Sequence, residues 1–261
     1  METLKDIQNS QDHRNVAIDK VGVRAVKYPI SVLDRSNDRQ HTIGDFTLTV
    51  HLPEEFKGTH MSRFLEVLGE QHREVSVQSI PKILSELKSR LNSKAAHIEV
   101  FFPFFMEKPA PITGKSGMMP YTCGFIAEES DKLDFVMCAE VAVTTLCPCS
   151  KEISDRGAHN QRGIVSVKVR TSGHVWLEEL IEMIEASASC SLFPVLKRPD
   201  EKWVTERAYD NPRFVEDMVR EVSLAFDAHP LITWYSIEVE NQESIHAHNA
   251  YAMVERAKSS S

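Results

Sequence analysis

The sequence predicts an α+β protein made of two ββααββ modules, each an antiparallel sheet with two helices on one face. Three observations lead to this prediction. Several stretches alternate apolar and polar residues with the period of a β-strand. Others place apolar residues at helical spacing. The order strand, strand, helix, helix, strand, strand occurs twice along the chain, although the two halves share no matching sequence.

The first module begins with a hairpin and continues with two amphipathic helices. Apolar residues alternate with polar ones in 41–52, which is typical of a half-buried strand. Phe64, Leu65 and Leu68 then fall at helical spacing. The predicted elements are strands at 21–33 and 41–52, helices at 62–71 and 80–91, and strands at 96–106 and 118–128.

The second module repeats this order after a joint rich in Gly, Pro and Lys at 108–117. The predicted elements are strands at 134–146 and 162–170, helices at 176–188 and 213–228, and strands at 232–240 and 246–255. We expect an N-terminal arm at 1–20, modules at 21–129 and 130–257, and a disordered tail at 258–261. The uncovered sheet edges and faces favour a closed barrel formed with other subunits.

Composition and charge narrow the functional class. The 261 residues are 42% hydrophobic and 26% charged, as in soluble globular proteins. A formal net charge of −8 and a pI near 5.8 argue against broad binding to nucleic acid or to anionic membranes. The N-terminus has no apolar signal core, and FFPFFM at 101–106 is too short to span a bilayer, so we expect a cytoplasmic protein.

A phosphate site must therefore be local. The GKS at 114–116 is not a phosphate loop, because position 109, where that motif requires Gly, is Pro. A better candidate is Lys57, His60 and Arg63, with Ser62 as a helix N-cap beside free backbone N–H groups. The alternative is an ordinary junction between a loop and a capped helix.

The cysteine count, five, does not indicate a disulfide framework in a chain of this length. Cys123, Cys138 and Cys190 stand among apolar or small residues and are predicted to be packing residues. Cys147 and Cys149 flank a Pro at the end of an apolar stretch, and His159 follows in a polar loop. Thiol and imidazole groups are transition-metal ligands. The alternative is a free cysteine pair with a solvated loop histidine.

Two further histidines stand close together near the C-terminus. In ESIHAHNAYA (243–252), His246 and His248 are two residues apart on a predicted strand, so their rings project from the same face. Glu243 and Asn249 flank them. The pair can serve one site together.

Carboxylates are numerous, and their spacing alone does not select one. Asp200, Glu201 and Glu206 lie in a predicted loop that begins with Pro, where a carboxylate can reach a metal. Glu216 lies in a helix whose apolar stripe comprises Phe214, Val215, Met218, Val219 and Val222. Glu216 is either a solvated charge or a buried acceptor for two N–H donors, such as guanine N1 and the 2-amino group.

Three segments of the chain resemble the GTP cyclohydrolase IB family: KGTHMSRF at 57–64, CPCSKEISDRGAHNQRG at 147–163 and IHAHNAYA at 245–252. The resemblance implies a bimodular tunnelling fold and a homotetramer with active sites at subunit interfaces. It also implies the reaction: GTP is hydrolysed at C8 to give formate and 7,8-dihydroneopterin 3′-triphosphate, the first step of folate synthesis.

The resemblance also implies roles for the candidate residues. Cys147, His159 and Glu201 correspond to the ligands of a divalent Zn, Mn or Fe ion in the second module, with a coordination position left for a water that is activated to attack C8. His246 and His248 correspond to general acid/base groups acting with Cys147. Glu216 corresponds to the guanine anchor, while Lys57, His60, Ser62 and Arg63 face the triphosphate from a neighbouring subunit.

Other functions stay open at this point. Another tunnelling-fold purine or pterin enzyme, such as a nitrile reductase of the queuosine pathway, would not release formate from GTP. A structural metal-binding module would unfold when its metal is removed. A nucleotide-binding regulator would leave the paired histidines without a role. A separate hypothesis concerns Cys149, because oxidation could join it to Cys147 and remove the thiolate ligand.

Overall fold

Strands and amphipathic helices follow one another along the chain. The computed structural model describes residues 8, 10–70, 75–76 and 78–258. Nine strands and six helices are assigned within these ranges. The elements in chain order are β1 Ile18–Asp34, β2 Asp38–Leu52, α1 Met61–Glu70, α2 Ile80–Arg90, β3 Ala96–Pro109, β4 Ser116–Glu129, β5 Leu133–Leu146, α3 Pro148–Ile153, β6 Asn160–Thr171, α4 Leu177–Ser187, β7 Cys190–Ser191, α5 Arg198–Asp210, α6 Val215–Ala228, β8 Ile232–Gln242 and β9 Ala250–Ala257.

The chain separates into two units, one formed by residues up to Phe102 with Gly124–Val136, the other by Pro103–Cys123 with Met137–Ser261. In the first unit, β1 and β2 form an antiparallel hairpin from Ile18↔Leu52 to Asp34↔Asp38, and β2 pairs with β3. The Asp34 carboxylate accepts backbone N–H bonds from Ser36 and Asn37, both at 2.8 Å, and so stabilises the turn. This confirms the predicted hairpin.

Alternating strand residues and one face of each helix form the core of the first unit. Phe46 and Leu48 of β2 are fully buried, as are Ile98 and Val100 of β3. The helices contribute buried residues at helical spacing: Phe64, Val67 and Leu68 from α1, and Ile80, Ile83, Leu84 and Leu87 from α2. The apolar periods seen in the sequence therefore mark most of the buried faces, but Leu65, which was predicted to belong to the α1 face, is exposed.

The second unit has an antiparallel ladder in the order β5, β6, β8, β9. Helices α4 and α6 contact each other, and α6 contacts β8 and β9. The core includes Leu180, Ile184, Met218, Val222 and Phe226 from the helices. The predicted α+β class with antiparallel sheets is confirmed.

Some boundaries differ from those predicted. Residues 199–207, predicted as a loop, lie within helix α5, and the last strand begins at Ala250 rather than at residue 246. Of the predicted tail, Lys258 is hydrogen-bonded to the carbonyl of Thr233, whereas 259–261 lie outside the described residues. Residues 1–7 and 9 of the predicted arm also lie outside them. No helix in the described ranges is long and apolar enough to cross a membrane.

Candidate active site

Cys147 and His159 lie side by side at one end of the second unit's sheet. β5 ends at Leu146, which pairs with Asn160 at the start of β6. The ladder continues by one bond, from the backbone N–H of Cys147 to the carbonyl oxygen of His159 (3.1 Å). Opposed residues of an antiparallel pair share a face. The register therefore brings together a thiol and an imidazole that are separated in sequence by the whole of α3.

The short helix α3, which was not predicted, holds this pair in place. Cys147 is its N-cap, and the Cys147 Sγ accepts a hydrogen bond from the backbone N–H of Ser150 (3.4 Å). The Ser150 hydroxyl accepts from the backbone N–H of His159 (3.2 Å) and donates to the carbonyl of Cys147 (3.1 Å). Pro148 suits the first helical position because that N–H has no helical partner.

The ring of His159 is held at one nitrogen. Its Nδ1 lies 3.2 Å from the Gln161 side-chain oxygen and 3.4 Å from the Ser244 hydroxyl. Within the described residues, Nε2 has no hydrogen-bond partner and is open to a ligand. Sequence reasoning missed both partners. For Gln161 a signal existed, because residues two apart on a strand share a face.

His246 and His248 lie in the loop between β8 and β9, so their assignment to a strand was wrong. The loop residue Asn249 donates to the carboxylate of Glu240, and strand pairing resumes only at Ala250. Both histidines are exposed, and their rings stack with centroids 5.0 Å apart and planes 16° from parallel. Ser244, which contacts His159, belongs to the same loop.

Asp200 is an anchor inside the protein. Its fully buried carboxylate accepts hydrogen bonds from the backbone N–H groups of Ile112, Thr113 and Lys197 and from the Thr113 hydroxyl, at 2.7–2.9 Å. Burial alone would raise the pKa of Asp200, but these hydrogen bonds together hold that pKa well below its usual range. The residue thereby ties the start of α5 to the 110–115 turn.

The next two carboxylates lie on different faces of α5. Glu206 forms an ion pair with Lys202 (3.3 Å) on the exposed side. Glu201 is exposed and, in the described part of the chain, makes no ion pair. It precedes Val204 and Ala208 at helical spacing. Because those two residues pack in a cluster with Leu146, Glu201 continues the face of α5 that approaches the strand end before Cys147.

The donor set at Cys147 and His159 suits a transition metal, because it combines a thiolate with an imidazole nitrogen whose partner nitrogen is already hydrogen-bonded. Among the residues that the structure describes, no group of three or more His, Cys, Asp or Glu side chains has the spacing of a metal site. The ligand set of Cys147, His159 and Glu201 therefore stays a prediction.

Glu216 lies in the first turn of α6. Its side chain is exposed in the single chain, as a solvated charge would be, and is not a buried acceptor there. The predicted apolar stripe is buried at Val215 and its successors, but Phe214 is 39% exposed. The backbone N–H of Arg213 donates to the carbonyl of Leu146 (3.0 Å). The start of α6 is therefore joined to the strand end that leads into Cys147.

The residues predicted to bind the triphosphate lie in the first unit. Helix α1 begins at Met61, so Ser62 is within the first turn and is not the N-cap. The Arg63 guanidinium donates to the carbonyl of Arg90 (2.9 Å) at the end of α2. Lys57 and Ser62 are exposed, and His60 is half-buried. Their role towards a triphosphate stays a prediction.

The five thiols differ as expected in exposure. Cys123, Cys138 and Cys190 are buried, and burial raises the pKa of Cys123 and of Cys190, which keeps both as unreactive packing residues. Cys149 is exposed and Cys147 is half-buried, and both are free. The redox pairing of these two remains a hypothesis.

Known proteins match this chain along nearly its whole length. The family described as type I GTP cyclohydrolase folE2 matches residues 4–252. A GTP cyclohydrolase FolE2 from Kosmotoga olearia is 53% identical over 256 residues, covering 98% of this chain and 100% of the relative. One from Geobacter sulfurreducens is 50% identical over 255 residues, covering 98% and 99%.

Solved structures show the fold. A uricase from Arthrobacter globiformis superposes with a TM-score of 0.55 at 11% identity, covering 93% of this chain and 94% of the other. Urate oxidase from Bacillus subtilis gives 0.53 at 8% identity, covering 92% and 98%. Urate oxidase is a tunnelling-fold protein, so the predicted tunnelling fold is confirmed. At such low identity the likeness concerns architecture alone.

Proposed function

The chain belongs to the FolE2 family of type I GTP cyclohydrolases, and from this premise we propose that it converts GTP and water to 7,8-dihydroneopterin 3′-triphosphate and formate, the first step of folate biosynthesis. We assign it to type IB. The observation that carries the proposal is the juxtaposition of Cys147 with His159, whose Nε2 is open, beside the loop of His246 and His248.

In this proposal Cys147, His159 and Glu201 hold a divalent Zn, Mn or Fe ion. When bound, such an ion supplies a Lewis acid and hydroxide at neutral pH. Support for Glu201 over its neighbours comes from their other commitments: Asp200 is saturated with hydrogen bonds, and Glu206 is paired with Lys202. The exposed carboxylate of Glu201 would then supply the third ligand.

The stacked histidines move protons. His246 and His248 are exposed and polar, and an imidazole ring can both take up and release a proton. One ring takes the proton released as the hydrated C8 centre opens, and the other protonates the departing purine nitrogen and later the ribose ring oxygen. Because the two rings stack with centroids 5.0 Å apart, both are close enough to serve one substrate.

Substrate recognition uses the remaining predicted residues. The exposed carboxylate of Glu216 has two oxygens for guanine N1–H and the 2-amino group. Lys57, His60, Ser62 and Arg63 contact the triphosphate from a neighbouring subunit of a homotetramer, and Arg63 combines this with its bond to Arg90. The protein acts in the cytoplasm.

The test is a reconstitution. Metal-stripped protein is incubated with GTP with and without Mn²⁺ or Zn²⁺, and formate and the fluorescence of the oxidised pterin are followed. Metal-dependent appearance of both products in equal amounts is expected. A folded protein that releases neither with any metal would contradict the proposal.

One matched pair of variants and one single variant then test the residue roles. Glu201→Gln should abolish turnover, whereas Glu206→Gln, on the same helix, should not. Glu216→Gln should raise KM for GTP more than it lowers kcat, because a neutral amide cannot accept both guanine donors. Equal effects of the Glu201 and Glu206 substitutions would remove the structural argument for Glu201.

A further inference from the structure

Gln161 stands behind the proposed metal ligand His159. It lies on β6, two residues beyond His159, and only 9% of its surface is exposed. Its side-chain oxygen is 3.2 Å from His159 Nδ1, and the Ser244 hydroxyl approaches the same nitrogen at 3.4 Å. Both polar contacts of the ring are therefore made at one nitrogen, on the side away from Nε2.

We propose that Gln161 is a positioning residue that fixes His159 in the tautomer protonated at Nδ1, so that the Nε2 lone pair is presented to the metal. The inference deepens the proposed function and rests on His159 being a ligand. An amide oxygen can only accept, so this contact requires the proton on Nδ1. A neutral imidazole then carries its lone pair on Nε2, which is the form that binds a metal.

The surroundings of Gln161 make the contact specific. Gln161 pairs with Thr145 across the β5–β6 ladder, and Thr145 is fully buried. A side chain enclosed at this level of the sheet has few rotamers, so its amide group stays beside the ring, with the oxygen facing Nδ1. Ser244, on the exposed histidine loop, can donate or accept and is compatible with either tautomer. Gln161 is therefore the group that selects between them.

The experiment compares Gln161→Met, which keeps the length but loses the acceptor, with Gln161→Glu, which keeps an acceptor oxygen. Gln242→Met, an exposed glutamine on the neighbouring strand β8, is the control. The dissociation constant for Zn²⁺ is measured by competition with a chromophoric chelator. The tautomer of His159 is read from ¹⁵N shifts in metal-free protein.

Loss of the acceptor should weaken Zn²⁺ binding about 10–100-fold, as for other groups that orient metal-bound histidines. Gln161→Glu should bind within a few-fold of the unmodified protein, and Gln242→Met should match it. The ¹⁵N shifts should show the Nδ1-protonated ring, and Gln161→Met should show a mixture.

Two outcomes separate this inference from the proposed function. If the unmodified protein binds Zn²⁺ and Gln161→Met binds it equally well, or if His159 is protonated at Nε2, the role of Gln161 is refuted and the cyclohydrolase proposal stands. If the unmodified protein binds no metal at all, both fail.

Discussion

Substitution of Cys147 by serine and by alanine separates two roles of one side chain. The Sγ caps α3 through the backbone N–H of Ser150, and it is also the proposed thiolate ligand. A serine hydroxyl is a strong N-cap but a hard, weakly bound ligand for a transition metal. Alanine retains neither role.

The two losses differ in size. At 3.4 Å the sulfur bond is long, and α3 has only six residues, so removing the cap should cost about 0.5–1 kcal/mol. For a chain of this size that corresponds to a fall in Tm of roughly 1–4 °C. Loss of the thiolate should lower kcat/KM at least about 100-fold, equivalent to about 2.7 kcal/mol of transition-state stabilisation.

The assay therefore measures Tm, turnover and metal content for three variants. Cys147→Ser should keep the original Tm but lose turnover and bound metal. Cys147→Ala should also lose turnover and bound metal, and its Tm should fall. Cys149→Ser, two residues away and exposed, should retain Tm and turnover under reducing conditions. Cys147→Ser with more than about a tenth of the original turnover and full metal content would refute the ligand role. Equal Tm losses for serine and alanine would refute the cap.

Three further predictions follow from the second unit. Asp200→Asn should lower Tm more than Asp210→Asn at pH 7. Hydrogen bonds depress the folded-state pKa of Asp200, so its stabilisation is present above the unfolded pKa and is lost as pH falls through the folded pKa. The difference in Tm between the two variants should therefore shrink below about pH 4, and a constant difference would contradict the assignment. Gly163→Ala should lower the free energy of unfolding, measured in urea, by about 1–3 kcal/mol, because the new Cβ would lie 2.8 Å from the buried Asn241 Oδ1. Gly58→Ala is the control and should leave this free energy nearly unchanged, because the nearest atom to its new Cβ is 3.5 Å away. Chelation of the metal should leave the circular dichroism spectrum unchanged while abolishing turnover, and unfolding would instead favour a structural metal.

Local periodicity accounts for most of the elements predicted from sequence. The helices α1, α2, α4 and α6 carry apolar residues on one face, and most of their buried positions are the ones that the spacing indicates; Leu65 and Phe214 are the exposed exceptions. Helix α5 was not predicted, because its residues are largely polar and within it only Asp200 and Ala208 are buried. A helix that buries so little leaves no apolar period to detect.

The sequence by itself singled out Cys147, His159 and the two C-terminal histidines as candidates for metal and acid/base chemistry, because thiol and imidazole groups are transition-metal ligands and imidazole can carry protons. Their arrangement depended on the tertiary structure. The Leu146↔Asn160 register joins Cys147 to His159, and a loop contact from Ser244 brings the histidine loop to the same ring. Likewise, the sequence did not distinguish Asp200, Glu201 and Glu206 as metal ligands. In helix α5, Asp200 is a buried anchor and Glu206 is paired with Lys202, which leaves Glu201 as the ligand candidate. Register and helix face are set by burial and hydrogen bonding between segments distant in the chain, and local sequence does not encode those contacts.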